Sequence, residues 1–406
     1  MEIREMRGME IAATRTIRKL DGWWRVPSQQ GTGIYRVQLA KKFATCECPD
    51  FAKRHQPCKH IFAATFVSRR ENPDGSVTVT QVMAAATTTT TYPQEWAAYN
   101  EAQTNEKEKF LCLLSDLCNG IPLGPQTGKN GRPRLPLSDM IFSATFKVYS
   151  TVSARRFVSD LREAQAKGFI SKAPHYNSIF NYLESAELTP VLKMLITQSS
   201  LPLSSVETNF AADSSGFMTN RFSRWFDHKY GVEKVKADWV KCHIMCGVKT
   251  NIVTAVEING QHAADTKMLP ALAESTAMNF TMQEVSADKG YASKSNFDTI
   301  AHFGAVPFIS FPDHHTGQGG GKWAEMYHYF NFRKQEFLQH YHKRSNVEST
   351  FSMMKRKFGD SIRSKTDTAM VNEVLCKILC HNLVVLIHEM YELGIEPVFW
   401  RNASVN

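Results

Sequence analysis

The stretch from Tyr341 to Lys355 constrains this chain more than any other. It contains no Pro or Gly, and Gly359 follows four residues beyond, so it is predicted to be one helix. Counting from Tyr341 at about 100° per residue, Arg344, Lys355 and Glu348 fall at roughly 300°, 320° and 340°. Val347, Phe351, Met354 and Phe358 fall beside them at roughly 220–280°. A carboxylate, two cations and a tyrosine therefore run along the edge of a buried face. Such a helix packs on a larger core and carries polar groups to its margin. Taken alone, the strip reads equally as an active-site wall or as a solvated border.

The charge around it is uneven. Residues 343–365 hold Lys343, Arg344, Lys355, Arg356, Lys357, Arg363 and Lys365 against Glu348 and Asp360. The whole chain has a net charge of +9. A local positive field of this kind suits a polyanion such as DNA, with a solvated basic face as the competing account.

Nearer the start, strands are expected at 22–26 and 33–39. They are followed by Cys46-Glu47-Cys48 and, after nine further residues, Cys58-Lys59-His60. Three thiols and an imidazole are a sufficient ligand set for tetrahedral Zn²⁺. Unassociated cysteines and a surface histidine are the other reading. The remaining six of nine cysteines lie in apolar or helical surroundings and are expected as small core residues, so this is not a disulfide framework. The N-terminus lacks the apolar core of a signal peptide. No segment approaches the roughly 20 uncharged apolar residues of a membrane span, and Leu383–Ile387 is flanked by Lys377, His381 and His388. The expectation is a soluble, cytoplasmic protein with no membrane partner.

A connector containing Thr87–Thr91 marks a boundary near 75–95. Residues 94–118 read as an amphipathic helix. A basic linker follows, in which Arg132 and Arg134 of Gly131-Arg132-Pro133-Arg134 are candidates for an A·T-rich minor groove, or simply linker charge. Helices are expected at 137–149, 153–167 and 177–187, as a DNA-reading helical unit or as structural padding. From Phe210 short strands alternate with helices. The apolar strand that begins at Phe210 ends in Asp213 and small residues, a hairpin spans 241–258, and the strand beginning near Gln283 ends at Asp288. Helices at 266–276 and 295–303 and a strand at 306–311 precede the opening helix.

Two strand-end aspartates and a helical glutamate on the same sheet can converge. Three close carboxylates repel unless cations neutralise them, and their hard oxygens suit Mg²⁺ or Mn²⁺. Two such ions, roughly 3.5–4 Å apart, serve phosphodiester displacement. Asp238, Asp265 and Glu284 compete for these roles, but none combines a strand end with a motif, so each is expected to be structural or solvated.

Asp213, Asp288 and Glu348, with Asp288-Lys289-Gly290-Tyr291 and the spacing Tyr341-x2-Arg344-x3-Glu348-x6-Lys355, resemble the DDE transposases of bacterial insertion sequences that bear the Y-R-E-K signature. The cysteine spacing resembles the SWIM zinc finger. The resemblance implies an α/β, RNase H-like catalytic core, a mixed five-stranded sheet flanked by helices, behind a small zinc-finger module and a helical DNA-binding region. Its expected segments are 1–75, the zinc module; 76–135, linker and helix; 136–204, helical; 205–390, catalytic; and 391–406, the tail. It further implies a metal-dependent enzyme, homodimeric on DNA and associated with the nucleoid. That enzyme would bind terminal inverted repeats, cleave the element's ends and join 3′-hydroxyls to target DNA. By the same resemblance Tyr341, Arg344 and Lys355 grip phosphates, and Trp323 or Tyr327 stacks on a flipped base. A non-catalytic DNA-binding regulator and a metal-dependent nuclease on the same core are the alternatives.

Overall fold

A computed structural model describes residues 3–29, 33–39, 44–68, 95–121, 135–219, 239–260, 264–312, 315–318 and 320–400. The chain divides into two compact units, residues 1–93 and 94–406. In the first, helix α1 (Ile3–Thr14) precedes an antiparallel sheet of β1 (Arg18–Leu20), β2 (Trp23–Pro27), β3 (Ile34–Gln38) and β4 (Thr45–Cys46), in that spatial order. Short helices α2 (Pro49–Arg54) and α3 (Lys59–Ser68) complete it. The first strand was not expected from the sequence, although its turn is encoded there. Asp21 and Gly22 both have left-handed φ (53° and 82°), as a two-residue hairpin loop requires, and they place Leu20 opposite Trp23. Ile11, Trp24, Val26, Val37 and Ile61 form the small core.

The second unit is built on a five-stranded mixed sheet. Its strands are β5 (Asn209–Met218), β6 (Trp239–Gly247), β7 (Val253–Asn259), β8 (Glu284–Ala287) and β9 (Val306–Ile309), in the spatial order β7-β6-β5-β8-β9. β6 is antiparallel to both β5 and β7, whereas β8 is parallel to β5 and to β9. The strand alternation sends neighbouring residues to opposite faces. Ala211, Phe217, Cys242, Ile244 and Cys246 enter one core, while Phe210, Ala212, Met245, Val285 and Ala287 enter the other.

The first of these cores is shared with α4 (Trp96–Asn119), α5 (Leu137–Ser150), α6 (Ala154–Ala166), α7 (Tyr176–Leu183) and α8 (Leu188–Ser200). On the second face lie α9 (Leu269–Ala277), α10 (Lys294–His302), α11 (Gly321–Phe332) and α12 (Lys334–Tyr341). α13 (Ser345–Phe358) and α14 (Asp367–Glu392) join the first core. The helices between 94 and 203 thus bury their apolar sides with the sheet, and the division drawn at 204/205 from the sequence is no boundary in packing.

α14 departs most from expectation. It is long and apolar enough to cross a membrane, with a mean hydropathy of 1.7 in its most apolar window, but 89% of that window is buried in the protein. Its buried polar residues each meet a hydrogen-bond partner. Asn382 pairs with both the N–H and the carbonyl of Val253 (2.9 and 2.8 Å), and His381 Nε2 donates to Asn251 O at 2.9 Å. Lys377 Nζ donates to the carbonyls of Phe358, Gly359 and Ser361 at 3.1, 2.8 and 2.9 Å. One turn earlier, Glu373 accepts from the N–H groups of Arg363 and Ser364. The pair therefore grips the segment leaving α13 by its carbonyls and by its amides. Burial lowers the Lys377 pKa to about 8, so the ammonium is retained at neutral pH. Lys377→Met strands three carbonyls without donors and is expected to cost about 3 kcal/mol or more in denaturant unfolding.

Candidate active site and metal centre

Parallel pairing between β5 and β8 ends at Ala212 opposite Ala287. The next residue on each strand is an aspartate, so Asp213 and Asp288 emerge side by side where the ladder stops. β5 itself continues. Contrary to the expected strand end, Asp213–Met218 go on pairing with β6, from Asp213 opposite Ile244 to Met218 opposite Trp239. Asp213 is thus mid-strand, open only on the side that β8 has left. Asp288 begins the 3₁₀ turn Lys289–Tyr291, closed by Tyr291 N–H to Asp288 O at 2.9 Å.

The predicted single helix from 341 to 355 is broken. α12 ends at Tyr341, residues His342–Arg344 form a 3₁₀ turn, and α13 restarts at Ser345. Two acids pull on that turn. Lys343 Nζ lies 2.6 Å from Glu284 Oε2 at the start of β8, and Arg344 Nη1 lies 3.2 Å from Asp213 Oδ2. Arg344 Nη2 reaches Glu348 Oε1 at 2.7 Å, so one guanidinium bridges two carboxylates. Tyr341 OH donates to Asp288 Oδ1 at 3.4 Å. Lys355 lies farther along, donating to Ser215 Oγ (2.7 Å) and Gly216 O (2.9 Å) above the Phe217 ring.

Burial raises the Asp213 pKa, opposed by the Ser214 amide and then by Arg344. Burial likewise raises the Tyr341 pKa and lowers that of Lys355. For Arg344 burial acts downward, but Tyr341, Glu348 and the two aspartates keep its pKa raised. A cleft of about 530 Å³ opens over Asp213, Glu348, Lys355 and Arg356.

The other sequence candidates fare differently. Trp323 is a correction: it is 5% exposed, packed edge-on against Phe311 and Phe297, with its indole N–H donating to Thr316 O at 2.8 Å. A ring enclosed in the core cannot stack on a base. Tyr327 packs against Phe311 in the same core. Arg132, Arg134 and Asp238 lie outside the described residues. The basic cluster is also less open than its composition suggests, since Lys343 pairs with Glu284 and Lys357 with Glu106. Arg356 and Lys365 are exposed and form no ion pair among the described residues.

Sequence reasoning passed over a network on the other face of the sheet. Asp265 Oδ1 lies 2.7 Å from Lys241 Nζ, accepts from Ser214 Oγ at 3.0 Å, and is 3.4 Å from His243 Nδ1. Asn296 joins Thr266 O to Tyr291 O (3.0 and 2.7 Å), tying this turn to the one that carries Asp288. Asp265 is therefore neither solvated nor isolated. The signal available was the i, i+1 alternation, which places Ser214 on the face opposite Asp213.

In the first unit, Cys46, Cys48, Cys58 and His60 are buried with their ligating atoms all within 4.8 Å of one another. His60 Nδ1 lies 3.9 Å from Cys46 Sγ and 4.0 Å from Cys58 Sγ. Tetrahedral Zn²⁺ with its usual bond lengths asks for about 3.6 Å between S and N, so the cage needs only slight contraction. Backbone N–H groups of Cys48 and Phe51 point at the sulfurs of Cys46 and Cys48 (both 3.4 Å), as thiolate ligands require. The neighbouring Cys46 lowers the Cys58 pKa, while Cys58 and burial raise that of Cys46. The four side chains fit a structural zinc. Among the described residues, this is the group whose ligating atoms gather so tightly; the carboxylates surround a guanidinium instead.

Residues 204–383 match the family model of the transposase DDE domain, and residues 35–67 match that of the SWIM zinc finger. A search of curated proteins and one of solved structures each found no match. The chain is thus similar to the SWIM zinc finger over residues 35–67 and to the transposase DDE domain over residues 204–383.

Proposed function

We propose that the chain is an active DNA transposase of an insertion sequence. In this reading it binds terminal inverted repeats, cuts at the element's ends and joins the 3′-hydroxyls to target DNA. The observation that carries the proposal is the meeting of Asp213, Asp288, Glu348, Arg344 and Tyr341 from three separate stretches of chain. Asp213, Asp288 and Glu348 would hold Mg²⁺ or Mn²⁺, their oxygens being the hard donors that these ions prefer. A bound pair of ions would supply positive charge to stabilise the phosphodiester displacement and to activate its nucleophile.

The chain's own residues do the rest. Tyr341 orients Asp288 through its hydroxyl. Arg344 already balances Asp213 and Glu348 as a cation, and its fork suits a phosphate equally well. Were Asp213 and Glu348 to hold cations, the guanidinium would be free to pair with a phosphate of the DNA strand. Lys355, fixed by Ser215 and Gly216, offers its remaining N–H to a phosphate. The zinc unit and the helices from α4 to α8 contact the element's ends. The enzyme acts as a homodimer assembled on DNA, in the cytoplasm at the nucleoid.

Arg344→Lys keeps the charge but loses the fork. It is expected to slow cleavage by roughly 10–100-fold in a single-turnover assay while chain stability stays within about 1 kcal/mol. The proposal itself is tested by incubating the protein with DNA carrying the element's ends, target DNA and Mg²⁺. Joined 3′ ends support a transposase. Ends that are released and never joined indicate a nuclease on the same core, and bound but uncut DNA indicates a regulator.

A further inference from the structure

Asp213 and Asp288 stand side by side, yet the backbone pairing of their strands stops one residue before them, at Ala212 and Ala287. Past that point side chains set the separation of the two carboxylates. One residue reaches both carriers. Asp265 opens the single 3₁₀ turn Asp265–Lys267 that follows β7. Its Oδ1 accepts from Ser214 Oγ at 3.0 Å and pairs with Lys241 Nζ at 2.7 Å. Ser214 donates its own N–H to Asp213 Oδ1 at 2.7 Å, so a single serine ties Asp265 to the first carboxylate. On the β8 side, a Cβ on Gly290 would stand 3.8 Å from Asp265 Oδ2, which puts that oxygen against the turn beginning at Asp288. His243 is fully buried, with its Nδ1 3.4 Å from both Asp265 Oδ1 and Tyr291 OH. Asn296 completes the group, donating to Thr266 O and Tyr291 O.

Asp265 is not among the residues lining the cleft over Asp213 and Glu348, and its charge is matched by Lys241. Its place in the network gives it another use. Carboxylates that share small hard cations have to be held to within about 0.5 Å, and the partners behind metal ligands are worth roughly 10–100-fold in metal affinity. Arg344 and Tyr341 brace Asp213 and Asp288 from one side, by touching the carboxylates themselves. The Asp265 group braces the same two segments from the other side through Ser214 and the turn at Gly290. Because Asp265 bonds to neither carboxylate, nothing in this second brace has to let go for a cation to bind. We propose that Asp265 is a positioning residue that fixes the separation of Asp213 and Asp288 and so sets their affinity for divalent cations. The proposal rests on the reading of those two aspartates as a metal-holding pair.

The test uses the full chain with zinc retained and Mn²⁺ alone as the probe, its free concentration read by electron paramagnetic resonance. The Mn²⁺ binding lost in Asp213→Asn marks the site. Asp265→Ala is expected to weaken that binding roughly tenfold, and Ser214→Ala, which cuts only the tie to Asp213, roughly threefold. Asp265→Asn keeps an oxygen for Ser214 and Lys241 but removes the charge, and it is expected to stay within about twofold of wild type. Lys193→Ala removes an ion pair of similar length from the same sheet (2.8 Å to Glu257 Oε2) and is expected to leave Mn²⁺ affinity unchanged. In cleavage of DNA carrying the element's ends, Asp265→Ala should need roughly tenfold more Mg²⁺ for half the maximal rate, yet reach a saturated rate within about threefold of wild type. If Asp265→Ala does not fold, Ser214→Ala carries the same comparison. Wild-type Mn²⁺ affinity in Asp265→Ala and Ser214→Ala, with Asp213→Asn weakened, would overturn the positioning role and leave the metal reading standing. Asp265→Asn as weak as Asp265→Ala would overturn it too, since charge and not the hold would then be responsible. Mn²⁺ binding untouched by Asp213→Asn would defeat the metal reading, and the proposal with it.

Discussion

Stripping zinc from the native protein with a chelator is expected to unfold the N-terminal unit and leave the second unit folded. The first unit has a small core, and four of its buried side chains are Cys46, Cys48, Cys58 and His60. A core of this size supplies only about 3–5 kcal/mol, whereas structural zinc in finger peptides contributes about 10–16 kcal/mol. Without the ion, three sulfurs and an imidazole remain crowded in an apolar interior, with His60 Nε2 already lacking a hydrogen-bond partner among the described residues. Cys58→Ser should act like the chelator, because it removes one of the four ligands of the cage. The measurement is limited proteolysis of the full chain combined with metal analysis. One zinc per chain, and cleavage confined to residues 1–93 after chelation, is the expected outcome. A chain that contains no zinc as purified, or that resists protease equally after chelation, would show that the cage is not a metal site.

Glu348→Gln is expected to lower single-turnover cleavage by at least about 10³-fold while leaving folding and DNA affinity nearly unchanged. The two effects separate because of where the residue lies. Its side chain is 56% exposed and its ion pair with Arg344 spans one helical turn, so the stability at stake is about 0–1 kcal/mol. A 10³-fold rate loss corresponds to about 4 kcal/mol of barrier. With no divalent ion present, removing a negative charge beside DNA phosphates does not weaken binding, so affinity measured that way separates lost binding from lost activity. A variant that cuts at the wild-type rate would remove Glu348 from the site.

Which parts of this were legible in the sequence follows from how local their determinants are. The zinc ligands lie within fifteen residues, and their spacing declares them. Asp213 and Asp288 are legible as a motif, but their adjacency depends on the parallel register of β5 and β8, which no single strand encodes. The break at His342–Arg344 was not legible, since it contains neither Gly nor Pro and is drawn out by Glu284 and Asp213 from other strands. α14 was hidden for a similar reason. Its Lys, His and Asn residues read as interruptions until their partners appear, as when Asn372 donates to Leu183 O across 189 positions of sequence. The two tryptophans make the same point. Trp323 and Trp239 are equivalent as letters, and only packing decides that one is core and the other exposed.

The central claim is that Asp213, Asp288 and Glu348 act as one catalytic unit, and non-additivity measures it directly. Single-turnover cleavage of DNA carrying the element's ends should be compared for Asp213→Asn, Glu348→Gln and the double variant, with DNA binding checked for each. If the carboxylates share one site, either single change removes nearly all activity and the double variant is no slower than the singles. If the losses multiply, or if either single variant retains wild-type cleavage, the carboxylates do not form a common active site.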